Sequence, residues 1–337
     1  MSRSEDHQSG AVPSELASTA NDDDYLLDVP NADRLAIVFT LTCNLRCTHC
    51  LVRSGPERRE KITLEDAKRI VTAAARTGTK VIYLTGGEVF LFYRELLELV
   101  AHVRAVGCRC VVETNAYWAR SEAATLKRLL PLQEAGVDCI GLSIDAYHED
   151  EGGIDRSVRL AEICRRLGVM CRVLVIASAD PERDRTIVAT LRAKNIPYFY
   201  DELMSIGRGS EIAAERDVLL QRERCDSIGR TVVPDGDLFS CFGATDENTL
   251  LKKTPLYVGN LLTEDPEMLF RKERDNPFSR AIDRDGHACL VSMLHEKPDA
   301  HLPDWEDGTS ICVFCQDLLS DQDNVVWLRD RLTATPR

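Results

Sequence analysis

The chain has 337 residues, 44% of them hydrophobic, which is ample for a large packed core. Its 55 acidic residues against 42 basic ones leave a net charge of −13, which argues against a nucleic-acid partner, since such partners need a basic face. No apolar run approaches the roughly 20 residues that span a bilayer, so no membrane attachment is expected. The N-terminal segment MSRSEDHQSG lacks the apolar core of a secretory signal. A cytoplasmic chain is therefore expected, in which the thirteen cysteines stay reduced and clustered ones bind metal or act catalytically.

Residues 1–32 are rich in Ser, Asp and Asn and hold an Asp22–Asp24 run; they read as a disordered acidic tail. Residues 35–41 form a continuous apolar run suited to a buried strand. Residues 63–77 have helical periodicity and open on Thr63 and Asp66, a capping-box-like start. The alternation continues with strands at 80–85, 108–114, 138–145, 169–177 and 196–203. Helices are expected at 91–106, 121–135, 155–167 and 182–195, with Pro131 breaking or kinking the second of these. Six βα-like units in a row predict a parallel sheet with helices outside it. The fold class expected is α/β, a partial, open (βα)6 barrel over 33–209. After Gly207-Arg208-Gly209 the character changes. A helix is expected at 211–224 and a hairpin at 230–242 around Pro234-Asp235-Gly236-Asp237. Loops and short helices are expected over 243–310, and a closing helix at 325–332. Residues 210–337 thus read as a small C-terminal α+β domain.

The strongest chemical signal is Cys43, Cys47 and Cys50, spaced Cys-x3-Cys-x2-Cys directly after the first strand. Three thiolates on one loop can each bind one iron of a [4Fe–4S] cube and leave the fourth iron open to a ligand. A zinc knuckle with His49 as fourth ligand is the competing reading. Gly86-Gly87-Glu88 stands at the C-terminal end of the second strand, the functional end of a βα barrel. Two glycines permit close backbone approach there, and the Glu offers a carboxylate for an ammonium.

These motifs, in this order over 34–205, resemble the radical S-adenosylmethionine (SAM) superfamily. The resemblance implies a SAM-binding [4Fe–4S] cluster on Cys43, Cys47 and Cys50, and a 5′-deoxyadenosyl radical that abstracts a substrate hydrogen. It places His49 beside the adenine and Gly86, Gly87 and Glu88 at the SAM amino group. Val89 stands where the family often has Pro. Ser143 is implied as a SAM contact, Arg172 as a partner of the SAM carboxylate, and Met204 as lining the adenine pocket. Thr114 and Asn115 are candidates to touch SAM or substrate. Each of these last five equally reads as a packed or solvated residue.

Cys225, Cys241, Cys312 and Cys315 supply a full ligand set for a second cluster or for zinc. With the upstream motifs they resemble the twitch type of auxiliary [4Fe–4S] domain, a shortened SPASM domain, because no cysteine follows Cys315. Two [4Fe–4S] clusters and SAM are thus the expected cofactors, with an electron donor such as flavodoxin or ferredoxin as partner. Cys289 lies between the two halves of this second set. It reads as a replacement ligand, as a thiol that returns hydrogen to a substrate radical, or as a buried apolar residue. Cys108, Cys110, Cys139, Cys164 and Cys171 read as buried thiols. Tyr147 and His148 are candidates to line the substrate pocket, and Asp145 and Glu202 to bind its polar groups, though a lone acid at a strand end also serves as a cap. No dinucleotide fingerprint, phosphate loop or metalloprotease motif is present.

Three enzyme readings follow. One is a redox-neutral epimerase of a sugar or aminocyclitol, similar to neomycin-type epimerases. Another is a dehydrogenase of the same small-molecule class, similar to 2-deoxy-scyllo-inosamine dehydrogenase, with the auxiliary cluster as electron acceptor. The third is a maturase of a ribosomally made peptide. A non-catalytic iron–sulfur or zinc protein is the remaining alternative, and it leaves the Gly86-Gly87-Glu88 motif without a purpose.

Overall fold

The computed structural model describes residues 15–19, 29–148, 153–204, 206–212, 225, 228–245, 251–303 and 311–334. The first six strands are β1 (Arg34–Thr40), β2 (Val81–Gly86), β3 (Arg109–Thr114), β4 (Cys139–Ser143), β5 (Met170–Ile176) and β6 (Phe199–Asp201). They pair in parallel in chain order. Between them run α1 (Leu64–Arg76), α2 (Tyr93–Ala105), α3 (Glu122–Ala135), α4 (Gly153–Leu167) and α5 (Pro181–Ala193). This is the expected α/β partial barrel. Parallel strands carry helices outside, so alternate residues such as Ile82, Leu84, Cys110, Val112 and Ile140 bury against helices. The opposite face carries Ala36, Val81, Tyr83, Val111 and Cys139.

Helix α1 begins where Thr63 Oγ1 accepts the Asp66 N–H at 3.1 Å, and Ile70, Val71 and Ala74 face the core. Burial of each large aliphatic side chain contributes roughly 1.5–3 kcal/mol. Pro131 does not break its helix: α3 runs from the Ser121 cap to Gly136 without interruption. Burial of Leu129 and Leu132 on either side of it offsets the roughly 3 kcal/mol that an interior proline costs.

Strand β6 is three residues long, shorter than expected, because it lies at the edge of the sheet. Residues 15–19, part of the expected tail, cover that edge. Leu16 is only 2% exposed, Thr19 N–H donates to the Tyr198 carbonyl at 3.0 Å, and Tyr200 N–H donates to Ser18 Oγ at 2.9 Å. Covering an edge strand removes a pairing hazard. The rest of the tail through residue 28 lies outside the described residues.

The C-terminal part adds β7 (Ile228–Val232), β8 (Asp237–Cys241), β9 (Tyr257–Asn260), α6 (Pro266–Arg274), α7 (Pro277–His295), α8 (Ile311–Ser320) and α9 (Gln322–Ala334). The expected hairpin is β7–β8, but it is not a separate sheet. Strand β7 pairs in parallel with β1, giving one open nine-stranded order, β6-β5-β4-β3-β2-β1-β7-β8-β9. Arg230 fixes this junction. Its side chain is fully buried, Nε donates to the Arg34 carbonyl at 3.1 Å and lies 3.6 Å from the Glu273 carboxylate on α6. The C-terminal helices keep their own core around Phe239, Phe278, Ile282, Leu290, Phe314 and Leu318. The expected helix at 211–224 falls almost wholly outside the described residues. The short helices expected over 243–310 include α6, but β9 and the long α7 were not foreseen, the latter disguised by a kink at Gly286 (φ 69°, ψ −175°). No described helix is long and apolar enough to cross a membrane.

Candidate active site

The cysteine loop is held from two sides. On one side, Gly87 N–H donates to the Thr40 carbonyl at 2.6 Å and Glu88 N–H to the Thr42 carbonyl at 2.9 Å. This contact is why glycines are needed. A β-carbon at Gly87 would sit 2.2 Å from the Thr42 carbonyl oxygen, and one at Gly86 would sit 2.3 Å from that of Thr40. The close approach inferred from the motif is thus made by the chain's own cysteine loop.

On the other side stands a clamp that the sequence reading missed. Gly207 (φ +60°) lies against the Cys50 and Leu51 carbonyls, where a β-carbon would be 2.4 and 2.3 Å away. Arg208 Nε donates to the Cys47 carbonyl at 2.9 Å, its terminal nitrogen to the Ser54 carbonyl at 2.7 Å, and its backbone N–H to the Cys50 carbonyl at 3.0 Å. The only signal was the Gly-Arg-Gly that ends the repeat.

The thiols themselves receive donors. Cys43 Sγ accepts from Leu45 N–H at 3.4 Å and from Asn115 Nδ2 at 3.7 Å, and Cys50 Sγ from Ser54 N–H at 3.4 Å. Burial pushes the Cys43 thiol up to about 12, so a thiolate there requires a compensating positive charge such as iron. Among the described residues no three cysteine sulfurs lie within 4.8 Å of one another.

Glu88 is fully buried. Its carboxylate accepts from Phe90 N–H (3.1 Å), Thr114 Oγ1 (2.9 Å) and Asn115 N–H (2.8 Å). Burial pushes its pKa up to about 7 against these bonds. Thr114 Oγ1 also lies 3.0 Å from the second carboxylate oxygen, so its single proton is shared between the two. Thr114 also accepts from Trp118 Nε1 at 3.1 Å, and Asn115 Nδ2 reaches Asn44 at 3.1 Å. Both residues thus join β3 to Glu88 and the cysteine loop.

Past β4, Asp145 Oδ1 accepts from Tyr147 N–H at 3.0 Å and pairs with His148 Nδ1 at 2.8 Å. His148 also hydrogen-bonds Cys47. His49 stacks on Tyr147 at 4.5 Å and meets His148 edge-on at 4.7 Å. Its Nε2 lies 3.9 Å from Asp145 Oδ2, and burial pushes its pKa down to about 4. The structure therefore brings His49, Asp145, Tyr147 and His148 to the cysteine loop. Two buried atoms here, His49 Nδ1 and Asp145 Oδ2, lack hydrogen-bond partners.

Ser143 ends β4 at the same mouth. Met204 lies beside the Gly207–Arg208 clamp, its carbonyl 2.3 Å from where a Gly209 β-carbon would be. Glu202 N–H donates to Asp201 Oδ1 at 2.8 Å after β6. Arg172 belongs to β5. It sits mid-strand, level with Gly141 of β4, with its guanidinium over Phe199 at 5.7 Å.

The second cysteine set comes together from three segments: Cys225, the end of β8 and helix α8. Burial raises the Cys315 thiol well above its usual value, and the nearby Cys241, Cys225 and Cys312 add to this. A β-carbon on Gly243 would lie 3.4 Å from Cys241 Sγ and 3.7 Å from Cys312 Sγ, and also 3.5 Å from Ile206 beside the clamp. Cys289 Sγ lies 3.0 Å from the Gly286 carbonyl at the α7 kink, and burial raises its pKa.

Residues 37–192 match the family model described as the Radical SAM superfamily. This stretch is similar to that family. The chain is 29% identical over 213 residues to an Fe-coproporphyrin III synthase of Methanosarcina barkeri, covering 59% of this chain and 51% of that protein. It is 31% identical over 107 residues to the putative peptide biosynthesis protein YydG of Bacillus subtilis, covering 32% of this chain and 34% of that protein. The chain thus spans about half the first relative's length and a third of the second's. The Radical SAM fold is shared with Streptococcus suis SuiB bound to S-adenosylmethionine, at 17% identity and a TM-score of 0.53, covering 75% of this chain and 67% of SuiB.

Proposed function

We propose that this protein is a radical SAM enzyme acting on a sugar or aminocyclitol, and that it inverts a carbon centre without net oxidation. The observation that supports it most is the cysteine loop locked between Gly86-Gly87-Glu88 and Gly207-Arg208. Cys43, Cys47 and Cys50 would hold one [4Fe–4S] cluster, and Cys225, Cys241, Cys312 and Cys315 the auxiliary one. With SAM bound, the first cluster supplies the 5′-deoxyadenosyl radical that removes a substrate hydrogen. Glu88 would hold the SAM ammonium through its carboxylate. His49, Ser143 and Met204 line the SAM side, while Asp145, Tyr147, His148 and Glu202 border the substrate. The Cys289 S–H returns a hydrogen atom to the opposite face of the carbon. One electron and one proton, the electron from a flavodoxin- or ferredoxin-type donor, then restore the thiol.

Cys289→Ala is expected to abolish epimer formation while iron content and SAM cleavage persist. Product analysis by mass spectrometry in deuterated water checks this. Epimer formed by the variant at the normal rate would remove Cys289 from the reaction, and lost auxiliary iron would make it a ligand. A product lighter by two hydrogens from the wild type would instead mark a dehydrogenase. The similarity to YydG favours a second reading, maturation of a ribosomally made peptide, so peptides belong in the substrate panel.

A further inference from the structure

Glu113, Gly141 and Arg172 stand side by side on β3, β4 and β5. They share the sheet face of Tyr83, Val111 and Cys139, away from the packed helices. The Glu113 carboxylate lies across Gly141: a β-carbon there would be 1.9 Å from Glu113 Oε2. Arg172 faces it from β5, and its Nε is buried without a hydrogen-bond partner. The Tyr83 hydroxyl, also buried without a partner, feels both charges. Burial raises the Glu113 pKa, and Arg172 opposes the rise. Among the described residues no ion pair or hydrogen bond engages the Glu113 carboxylate. Groups of this kind are costly to bury without partners, and the missing β-carbon at Gly141 is what lets the Glu113 carboxylate lie there, between β3 and Arg172.

We propose that Tyr83, Glu113 and Arg172 are specificity residues that hold a small polyhydroxylated amine, its ammonium on Glu113 and an adjacent hydroxyl between Arg172 and Tyr83. This rests on the reading above and narrows its substrate class to amine-bearing rings. An anionic ligand would meet the Glu113 carboxylate, and an apolar one would leave both charges uncompensated. Arg172 is thereby engaged by substrate and not by the SAM carboxylate.

The test is equilibrium binding to the full chain, anaerobically reconstituted and saturated with SAM. The probes are neamine and 2-deoxystreptamine, with scyllo-inositol as the amine-free control. The wild type is expected to bind both amines and to bind scyllo-inositol more weakly. The isosteric Glu113→Gln should weaken amine binding about tenfold or more, as loss of one charge-assisted hydrogen bond implies. Its iron content and SAM affinity should match the wild type. Arg172→Lys should weaken binding of all three rings. Unchanged amine binding in Glu113→Gln, or weakened SAM binding in Arg172→Lys, overturns the assignment even if the wild type epimerises an aminocyclitol. A wild type that cleaves SAM yet binds neither amine overturns the ligand class while leaving the radical chemistry standing.

Discussion

Gly87→Ala is expected to cost at least about 100-fold in SAM cleavage, the scale set by displacing reacting groups by about 1 Å. The added methyl would lie 2.2 Å from the Thr42 carbonyl oxygen, 2.6 Å from its carbon and 3.1 Å from the Leu41 carbonyl carbon. All three are backbone atoms, so no side chain can rotate away. Relief requires the strand β1 exit and the cysteine loop to move, which breaks the Gly87–Thr40 and Glu88–Thr42 hydrogen bonds. Overpacking of this kind also destabilises by about 1–3 kcal/mol. Rates of 5′-deoxyadenosine formation, with thermal unfolding alongside, check the prediction. Near-normal cleavage would show that the glycine contact does not position the loop.

Cys47→Ala should reduce iron from about eight atoms per chain to about four, the content of one remaining [4Fe–4S] cluster, and should eliminate SAM cleavage. Cys47 is placed for this effect by two independent contacts, the Arg208 hydrogen bond to its carbonyl and the His148 hydrogen bond to its thiol. Iron and sulfide analysis with chromatography of SAM products gives the answer. A variant that keeps its iron and cleaves SAM would defeat the cluster assignment on this loop.

Much of the barrel was legible because parallel strands and amphipathic helices write different periods into the chain. Strands β1 to β5 and their helices fall within a few residues of expectation. Cys43, Cys47 and Cys50 were legible because their spacing is local. What escaped was non-local. The parallel pairing of β7 with β1 joins residues almost 200 positions apart and depends on buried Arg230. The Arg208 clamp joins residues 154 to 161 positions apart in the chain. Pro131 misled because a local cost is outweighed by packing on either side. Gly87 stood out in the motif, but the room it makes for the Thr42 carbonyl depends on a contact across two strands. Likewise Glu113 looked like one more strand residue until the register set it beside Gly141 and Arg172.

The most direct test of radical chemistry with inversion uses one incubation. Anaerobically reconstituted protein is mixed with SAM, a low-potential reductant and an aminocyclitol panel in deuterated water. The account predicts 5′-deoxyadenosine together with an epimeric product one mass unit heavier, the deuterium sitting at the inverted carbon after exchange through the Cys289 thiol. Absence of 5′-deoxyadenosine from protein carrying its full iron would contradict it.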